Sequence, residues 1–249
     1  MQTHRPYNFK NQHFVGEEGR LIPLLLEAGH DVTGTTRSPQ NAEKLEQAGV
    51  HPAVLDMFDA AAVAAAVRSA APQVMIHQLT DLPREFDQAR VSASYAANAR
   101  IRIEGTRNLM AAAHGAPVRR FIVQSIAFAY AAGGEPHAET DPLNVNDPMR
   151  SVTVKGALDM EQQVLGDPGI EGIVLRYGLL YGPGTWHMTS IRKPALHVDA
   201  AAHAALLAIS RGSPGIYNIA DDEGIVSIAK ARSELGFDAQ FRFDCDIFS

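Results

Sequence analysis

The stretch from Asp31 to His77, DVTGTTRSPQNAEKLEQAGVHPAVLDMFDAAAVAAAVRSAAPQVMIH, alternates short β-like runs with helical segments. Three runs in it have the length and composition of strands, namely residues 31–36, 51–55 and 74–77. Ser38, followed by Pro39, and Asp59, followed by an alanine-rich run, are typical helix N-caps. Each of the first two strands should therefore lead into a helix. Strand–helix alternation of this kind predicts a parallel sheet with helices on both faces.

The same alternation continues through the rest of the chain. Further strands are expected at residues 121–124, 172–177 and 215–219, and further helices near residues 89–113, 151–165, 199–210 and 227–235. A strand is also expected to end near Val15, although the residues before it are polar. Ligands of doubly wound sheets bind beyond the carboxyl ends of the strands, so the loops there should hold any functional site.

The composition is that of an ordinary globular protein and argues against several classes of function. Of 249 residues, 46% are hydrophobic and 20% are charged. The net charge is −6 and no segment is strongly basic, so a nucleic-acid partner is not expected. No run approaches the ~20 apolar residues of a membrane span, and the polar N-terminus does not resemble a secretory signal. The single cysteine, Cys245, cannot form an internal disulfide, which favours a reducing, cytoplasmic location.

Metal and hydrolase chemistry are not indicated by the residue pattern. The ten histidines are scattered, with no H-E-x-x-H pair and no Cys/His cluster, so no metal site is expected. Ser125 lacks the G-x-S-x-G context of a hydrolase nucleophile.

Five segments of the chain carry a family resemblance. They read IEGTRNL at residues 103–109, RYGLLYGPG at 176–184, HVD at 197–199, IYNIA at 216–220 and KARSELGF at 230–237. Each segment alone is a weak signal, but in this order they resemble the extended short-chain dehydrogenases, the NAD-dependent epimerase/dehydratase family. The resemblance extends over about residues 21–243, and the chain is identified as an atypical member of that family.

The resemblance implies a single domain, residues 1–249, built on a Rossmann-type doubly wound parallel sheet. Residues 20–170 would form the nucleotide-binding core and residues 171–249 a reduced substrate-binding portion, because only a short connection separates Gly184 from Leu196. The resemblance also implies an NAD or NADP cofactor, a small-molecule substrate and a homodimer formed through the two long helices.

The family's diphosphate-binding loop, G-x-x-G-x-x-G, is incomplete in this chain. Gly16 and Gly19 match its first two glycines and are the candidate cofactor ligands, but Ile22 takes the place of the third. Glu17 and Glu18 would repel a diphosphate, although they would stabilise a helix N-terminus. Two interpretations stay open: a shortened loop that still binds, or a divergent N-terminal segment that forms no nucleotide cradle.

Other cofactor contacts are implied by the family pattern. Arg37, after the second strand, can bind a 2′-phosphate and favours NADP over NAD, with an ordinary surface arginine as the alternative. Asp56 and Met57 follow the third strand, where the family contacts adenine. Leu79 and Thr80 are the implied contacts near the ribose and nicotinamide, and Tyr177 of the RYGLLYGPG segment is a further cofactor-binding candidate.

The family's catalytic serine, tyrosine and lysine are only partly matched. Ser125 follows the fifth strand in the run QSIA and is the serine candidate. Lys155 is the one lysine of the next helix, and it is the candidate both for the catalytic lysine and for the ribose contact. In the family a tyrosine four residues before the lysine acts as general acid and base, but Ser151 occupies that position.

The tyrosine is missing in the alternative register as well. Matching Glu161 to the glutamate usual in this helix puts Thr153 at the tyrosine position and Ala157 at the lysine position. An aliphatic hydroxyl has a far higher pKa than a phenol, so it does not donate a proton at neutral pH without another base. Tyr130 in the neighbouring loop is the candidate for this role, with a bound water as the alternative.

Two functions follow from these observations. The chain is expected to be an NAD(P)-dependent oxidoreductase or an epimerase/dehydratase-like enzyme acting on a small polar molecule, either a nucleotide sugar or a ketone or alcohol. The alternative is a catalytically impaired dinucleotide-binding or scaffold protein, because the fold by itself does not establish an activity. Titration with NADPH and NADH separates the two.

Overall fold

The computed structural model describes residues 10–15, 20–83 and 87–243, with residues 10–15 described by their backbone. Its strands are β1 (Lys10–Val15), β2 (Asp31–Thr36), β3 (His51–Val54), β4 (Val74–Gln78), β5 (Arg120–Ile126), β6 (Glu171–Tyr177), β7 (Leu179–Tyr181), β8 (Ala195–His197) and β9 (Gly215–Ile219). Its α-helices are α1 (Leu21–Glu27), α2 (Pro39–Gln47), α3 (Ala60–Ala70), α4 (Gln88–Arg100), α5 (Thr106–Ala113), α6 (Ser151–Leu165) and α7 (Val198–Ala208). Two π-helical turns occupy Ile101–Gly105 and Ala231–Leu235.

A seven-stranded parallel sheet in the order β3-β2-β1-β4-β5-β6-β9 organises the described residues. The chain runs outward from β1 to β3, then returns to the far side of β1 and runs outward again from β4. β1 is the strand that was expected to end near Val15, and it pairs with β2 on one side and β4 on the other. The predicted α/β fold with a Rossmann-type sheet is confirmed, and the reversal between β1 and β4 is where such sheets bind ligands.

Helices cover both faces of this sheet. α3, α5 and α6 share one apolar cluster, whereas α1 and α7 pack together in the cluster on the other face. β7 and β8 form a separate two-stranded parallel sheet beside α7. A helix that crossed a bilayer would need greater length and apolarity than any helix in the described ranges has.

Side-chain caps start the helices that follow β2 and β3. Ser38 Oγ accepts a hydrogen bond from the Asn41 amide at 3.4 Å, and Asp59 Oδ1 accepts from the amides of Ala61 and Ala62 at 3.0 Å. These bonds satisfy amides of the first helical turn that have no partner within the helix. The helix starts predicted at Ser38 and Asp59 are therefore correct.

A π-helical turn interrupts the long helix that was predicted over residues 89–113. The turn, Ile101–Gly105, joins α4 to α5 and inserts one extra residue into the helical register. Its second residue, Arg102, donates from Nη1 to the carbonyl oxygen of Thr153 on α6 at 3.3 Å. The turn therefore directs a cationic side chain toward α6.

α4 and α6 approach each other closely at a glycine. A Cβ added to Gly156 would lie 2.8 Å from Ala99 Cα and 3.0 Å from Ala99 Cβ, so a side chain there collides with the backbone of α4. Ala99 lies two residues before the π turn, and this contact holds α6 against the segment that leads into it.

We expect Gly156→Ala to lower the free energy of unfolding by about 1–3 kcal/mol, because the added methyl group forces the two helix backbones apart. This expected loss of stability is opposite in sign to the effect of helix propensity, which favours alanine over glycine by about 1 kcal/mol. Urea unfolding measures the difference. Gly134→Ala is the matched control, because a Cβ at Gly134 meets nothing within 4 Å. Equal stability of the two variants would contradict the close approach of α4 and α6.

Candidate active site

A pocket opens at the carboxyl ends of β4 and β5, between the sheet, the π turn and α6. Its lining residues are His77, Gln78, Leu79, Thr80, Arg102, Gln124 and Met160. Leu79 and Thr80, which were expected near the ribose and nicotinamide, are thus part of the wall. Within the described ranges, no three His, Cys, Asp or Glu side chains are grouped so that they could hold a metal ion.

His77 lies near the end of β4 and is neutral. Its Nδ1 accepts a hydrogen bond from the Leu79 amide at 3.3 Å, so the neutral ring carries its proton on Nε2. Burial, followed by the positive charge of Arg102, lowers the pKa of His77 to about 4, against an opposing effect of the Ile101 backbone carbonyl. His77 therefore carries no charge at neutral pH and is not poised for proton exchange there.

Gln78 and Tyr177 form a buried link beneath the site. Gln78 Nε2 donates to the Tyr177 hydroxyl at 3.2 Å, and that hydroxyl donates to the Ala201 carbonyl on α7 at 2.8 Å. Burial raises the pKa of Tyr177. The candidate cofactor residue Tyr177 is 3% exposed, and it ties β4 and β6 to α7. Gln78 Oε1 is buried and has no hydrogen-bond partner among the described residues.

A buried ion pair between Glu161 on α6 and Arg176 on β6 lies beside the pocket. Arg176 Nε donates to Glu161 Oε1 at 2.9 Å and Nη2 donates to Oε2 at 2.7 Å, with both side chains 4% exposed. The Ser125 hydroxyl donates to Glu161 Oε1 at 2.5 Å and is fully buried. The serine candidate thus binds the ion pair, while Gln124 is the neighbouring residue that lines the pocket.

Tyr130 extends the same network toward β9. Its hydroxyl donates to Asn218 Oδ1 at 2.6 Å and accepts a hydrogen bond from Arg176 Nη1 at 3.0 Å. Burial raises the pKa of Tyr130, although the charge and hydrogen bond of Arg176 oppose the shift. The phenol therefore stays protonated at neutral pH, with its one proton directed at Asn218. Its role as a proton donor stays a prediction.

The start of α6 presents Thr153, rather than Lys155, toward the π turn. Thr153 is buried, and its Oγ1 has no hydrogen-bond partner among the described residues, while its carbonyl accepts from Arg102. Lys155 is exposed, and Ala157 is fully buried. In the register based on Glu161 the tyrosine position is Thr153, whose carbonyl contacts Arg102, whereas Lys155 of the other register is exposed. The catalytic and ribose-binding roles of Lys155 stay predictions.

Arg102 is a functional candidate that the sequence patterns did not single out. It is partly buried, and burial lowers its pKa to about 10 against the opposing charge of Glu161, so it is still protonated at neutral pH. The available signal was an arginine directly before the IEGTRNL segment, in a helix predicted to be regular. Only the π turn and its contact with α6 reveal where the guanidinium lies.

The adenosine end of the expected cofactor site lies at the ends of β2 and β3. Arg37 is exposed there, and its Nη2 pairs with Asp81 Oδ1 at 3.1 Å. Asp56 Oδ1 accepts from the Phe58 amide at 2.9 Å, and Met57 is buried. The phosphate-loop candidates Gly16 and Gly19 lie outside the described residues, and their cofactor-binding role stays a prediction.

We expect Glu161→Gln to destabilise the protein by about 3–5 kcal/mol, because it leaves the Arg176 guanidinium buried without a compensating charge. Replacing both partners, as in Glu161→Leu with Arg176→Met, should recover much of this loss, since an apolar pair carries no desolvation cost. Urea unfolding of the three proteins measures both effects.

The control for this prediction is Asp222→Asn in the exposed Arg232–Asp222 pair, whose side chains are 49% and 53% exposed. An exposed pair contributes about 0–1 kcal/mol, so this variant should be close to wild type. Similar losses for Glu161→Gln and Asp222→Asn would show that the buried pair is not a special constraint.

Comparison with known proteins identifies the family. A family model described as the NAD dependent epimerase/dehydratase family matches residues 14–193. A 3-diazoavenalumate denitrifying reductase from Streptomyces sp is 36% identical over 225 residues, covering 82% of this chain and 72% of the reductase.

Solved structures show the same fold at low sequence identity. UDP-glucose 4-epimerase from Thermotoga maritima, solved with UDP-glucose, has a TM-score of 0.75 and 17% identity, covering 95% of this chain and 94% of the epimerase. The enzyme WbmG from Bordetella bronchiseptica, solved with NAD, has a TM-score of 0.72 and 17% identity, covering 99% of this chain and 94% of that enzyme. With a family model that matches well over half of its residues, and with the identity to the reductase, this chain belongs to the NAD-dependent epimerase/dehydratase family.

Proposed function

We propose that this chain is an NAD(P)-dependent reductase whose acceptor is a small, strongly electrophilic diazo acid. The observation that carries the proposal is the composition of α6, which has Thr153 and Ala157 where the family's register calls for tyrosine and lysine. The identity to a denitrifying reductase named for a diazo compound supports the reaction class.

The missing phenol favours an acceptor that needs no proton from the protein. Reduction of a ketone produces an alkoxide, and oxidation of a sugar hydroxyl releases a proton, so both reactions depend on a nearby acid or base. Tyr130 is engaged by Arg176 and Asn218, and His77 is neutral with a low pKa. Once a diazo carbon has taken a proton from water, it is a diazonium carbon, and loss of dinitrogen from it needs no such group, because the leaving group departs neutral.

The residues at the carboxyl end of the sheet fit a dinucleotide. The buried Gln78 Oε1 lacks a partner among the described residues, and an amide or hydroxyl donor of a ligand would satisfy it. Arg37 would hold the adenosine end of the dinucleotide, and Leu79 and Thr80 would contact its nicotinamide end. When bound, the reduced nicotinamide would supply a hydride that forms a C–H bond at the diazonium carbon, while N2 would leave with the C–N bonding electrons and NAD(P)+ would remain.

The chain's own residues would hold and orient the acceptor. Leu79 and Met160 give the pocket its apolar lining, against which the apolar part of an acceptor would pack. Gln124 offers a neutral amide, and Arg102 a fixed positive charge. Within the described lining, the pocket therefore binds and positions an acceptor without exchanging protons with it at neutral pH.

A second candidate function is dinucleotide binding without catalytic turnover. The observation in its favour is the incomplete phosphate loop, with Ile22 in place of the third glycine. Nucleotide-sugar chemistry, the other expectation from the sequence, has less support, because the likeness to the sugar-nucleotide epimerase is one of fold.

We expect Arg37→Gln to weaken NADPH binding about tenfold or more and to leave NADH binding unchanged, because the lost guanidinium would pair with the 2′-phosphate. The Arg37–Asp81 pair has side chains 66% and 44% exposed, so it contributes at most about 1 kcal/mol and yields readily to a phosphate. Asp81→Asn should accordingly tighten NADPH binding. Calorimetric titration measures all three proteins, and an equal loss for both cofactors in Arg37→Gln would exclude the NADP preference.

We expect the wild-type protein to consume NADPH with 3-diazoavenalumate and to release N2 in equal amount, because each hydride transferred expels one dinitrogen molecule. Absorbance of the reduced nicotinamide measures NADPH consumption, and mass spectrometry of the gas measures N2 release. A protein-free reaction is the control. Tyr130→Phe should keep most of this turnover. A stable Tyr130→Phe protein without turnover would show that Tyr130 acts as the proton donor. Cofactor binding by the wild-type protein without any turnover would favour the second candidate.

A further inference from the structure

Arg102 is the one charged side chain among the described residues that line the pocket. The other six are a neutral histidine, two glutamines, a threonine and two apolar side chains. The pocket therefore has a net positive character, although the whole chain has a net charge of −6. A cation concentrated in one small pocket of an acidic protein points to a bound anion.

No carboxylate neutralises Arg102 by a direct ion pair within the described ranges. The nearest acidic influence is Glu161, but both of its oxygens are already occupied, by Arg176 and by Ser125. The hydrogen bond of Arg102 to the Thr153 carbonyl uses one guanidinium N–H of five. Several donors are thus left for a ligand.

The environment of Arg102 disfavours its charge. Burial lowers its pKa to about 10, which means that the surroundings solvate the guanidinium less well than water does. A buried charge without a counter-charge is costly, and an anion that pairs with it relieves that cost. Guanidinium groups bind carboxylates through two parallel hydrogen bonds, with both charge and geometry matched.

We propose that Arg102 is a specificity-determining residue that binds the carboxylate of the acceptor in this pocket, a step that rests on the proposed reductase function. The π turn is the device that places it, since it shifts the helical register by one residue and turns Arg102 toward the start of α6. The guanidinium then donates to the backbone carbonyl of Thr153, the residue at the family's tyrosine position in the Glu161 register.

Binding of unreactive acids tests this inference without any turnover. The probes are 4-hydroxycinnamate and its uncharged amide, titrated calorimetrically into wild type, Arg102→Gln and Arg102→Lys, each with and without NADP+. Glutamine keeps an amide donor for the Thr153 carbonyl but removes the charge, whereas lysine keeps the charge but not the fork geometry. Arg100→Gln is the matched control, because Arg100 is an exposed arginine at the end of α4, two residues before Arg102, and it pairs with Glu104.

The wild-type protein should bind the acid roughly tenfold or more tightly than the amide, as expected for a charged hydrogen bond. Arg102→Gln should lose this preference, Arg102→Lys should keep part of it, and Arg100→Gln should keep all of it. Thermal unfolding of each variant checks that the fold is retained.

Three results would overturn the inference. They are equal binding of the acid and the amide by wild type, no binding of either probe, and an unchanged preference in Arg102→Gln. Loss of NADP+ affinity in Arg102→Gln, with the acid preference intact, would assign the guanidinium to a cofactor phosphate instead. The proposed function fails separately, through absence of turnover with the diazo acid, so the two failures are distinguishable.

Discussion

The buried ion pair between Glu161 and Arg176 is the constraint on which the site depends. It joins α6 to β6 and takes up the hydroxyl of Ser125 on β5, and through Arg176 it reaches Tyr130 and Asn218. Two charges removed from water are tolerated only if their hydrogen-bonding capacity is satisfied, and the network supplies those bonds. Any rotation of α6 about its axis would break several of them at once.

With the rotation of α6 set in this way, the pocket wall follows. Thr153 lies about two turns before Glu161 on the helix, so its carbonyl is presented to the π turn, where it accepts from Arg102. Gly156, between the two, permits the close contact with Ala99 on α4. Helix packing and the buried charges therefore act together, and both hold the π turn against α6.

The same arrangement explains why residues that resemble a catalytic set need not act as one. Ser125 and Tyr130 are engaged by the ion-pair network, and Lys155 is exposed. The pocket is lined instead by neutral and apolar side chains and one guanidinium. The described lining holds no carboxylate, tyrosine or lysine that could exchange a proton with an alcohol or a ketone, and the proposed acceptor class rests on this composition.

Local chemistry explains which features could be predicted. Strand and helix signals depend on neighbouring residues, and the caps at Ser38 and Asp59 are set by amides two or three residues away, so both could be deduced without a structure. The π turn could not, because the helical pattern around it is unbroken. The choice between the two registers of α6 also required the structure, since it depends on a partner of Glu161 that lies 15 residues further along the chain, on a different strand.

The amino-acid sequence by itself determined the doubly wound fold, the family and the absence of a tyrosine in either register of α6, because these are properties of pattern and residue identity. The tertiary structure alone decided which side chain lies beside Thr153, the tyrosine position of the Glu161 register. Burial, helix packing and the Glu161–Arg176 pair bring Arg102 against Thr153, although 51 residues separate them in the chain. A contact over that distance is set by the energy of the whole packed domain, which no local pattern encodes.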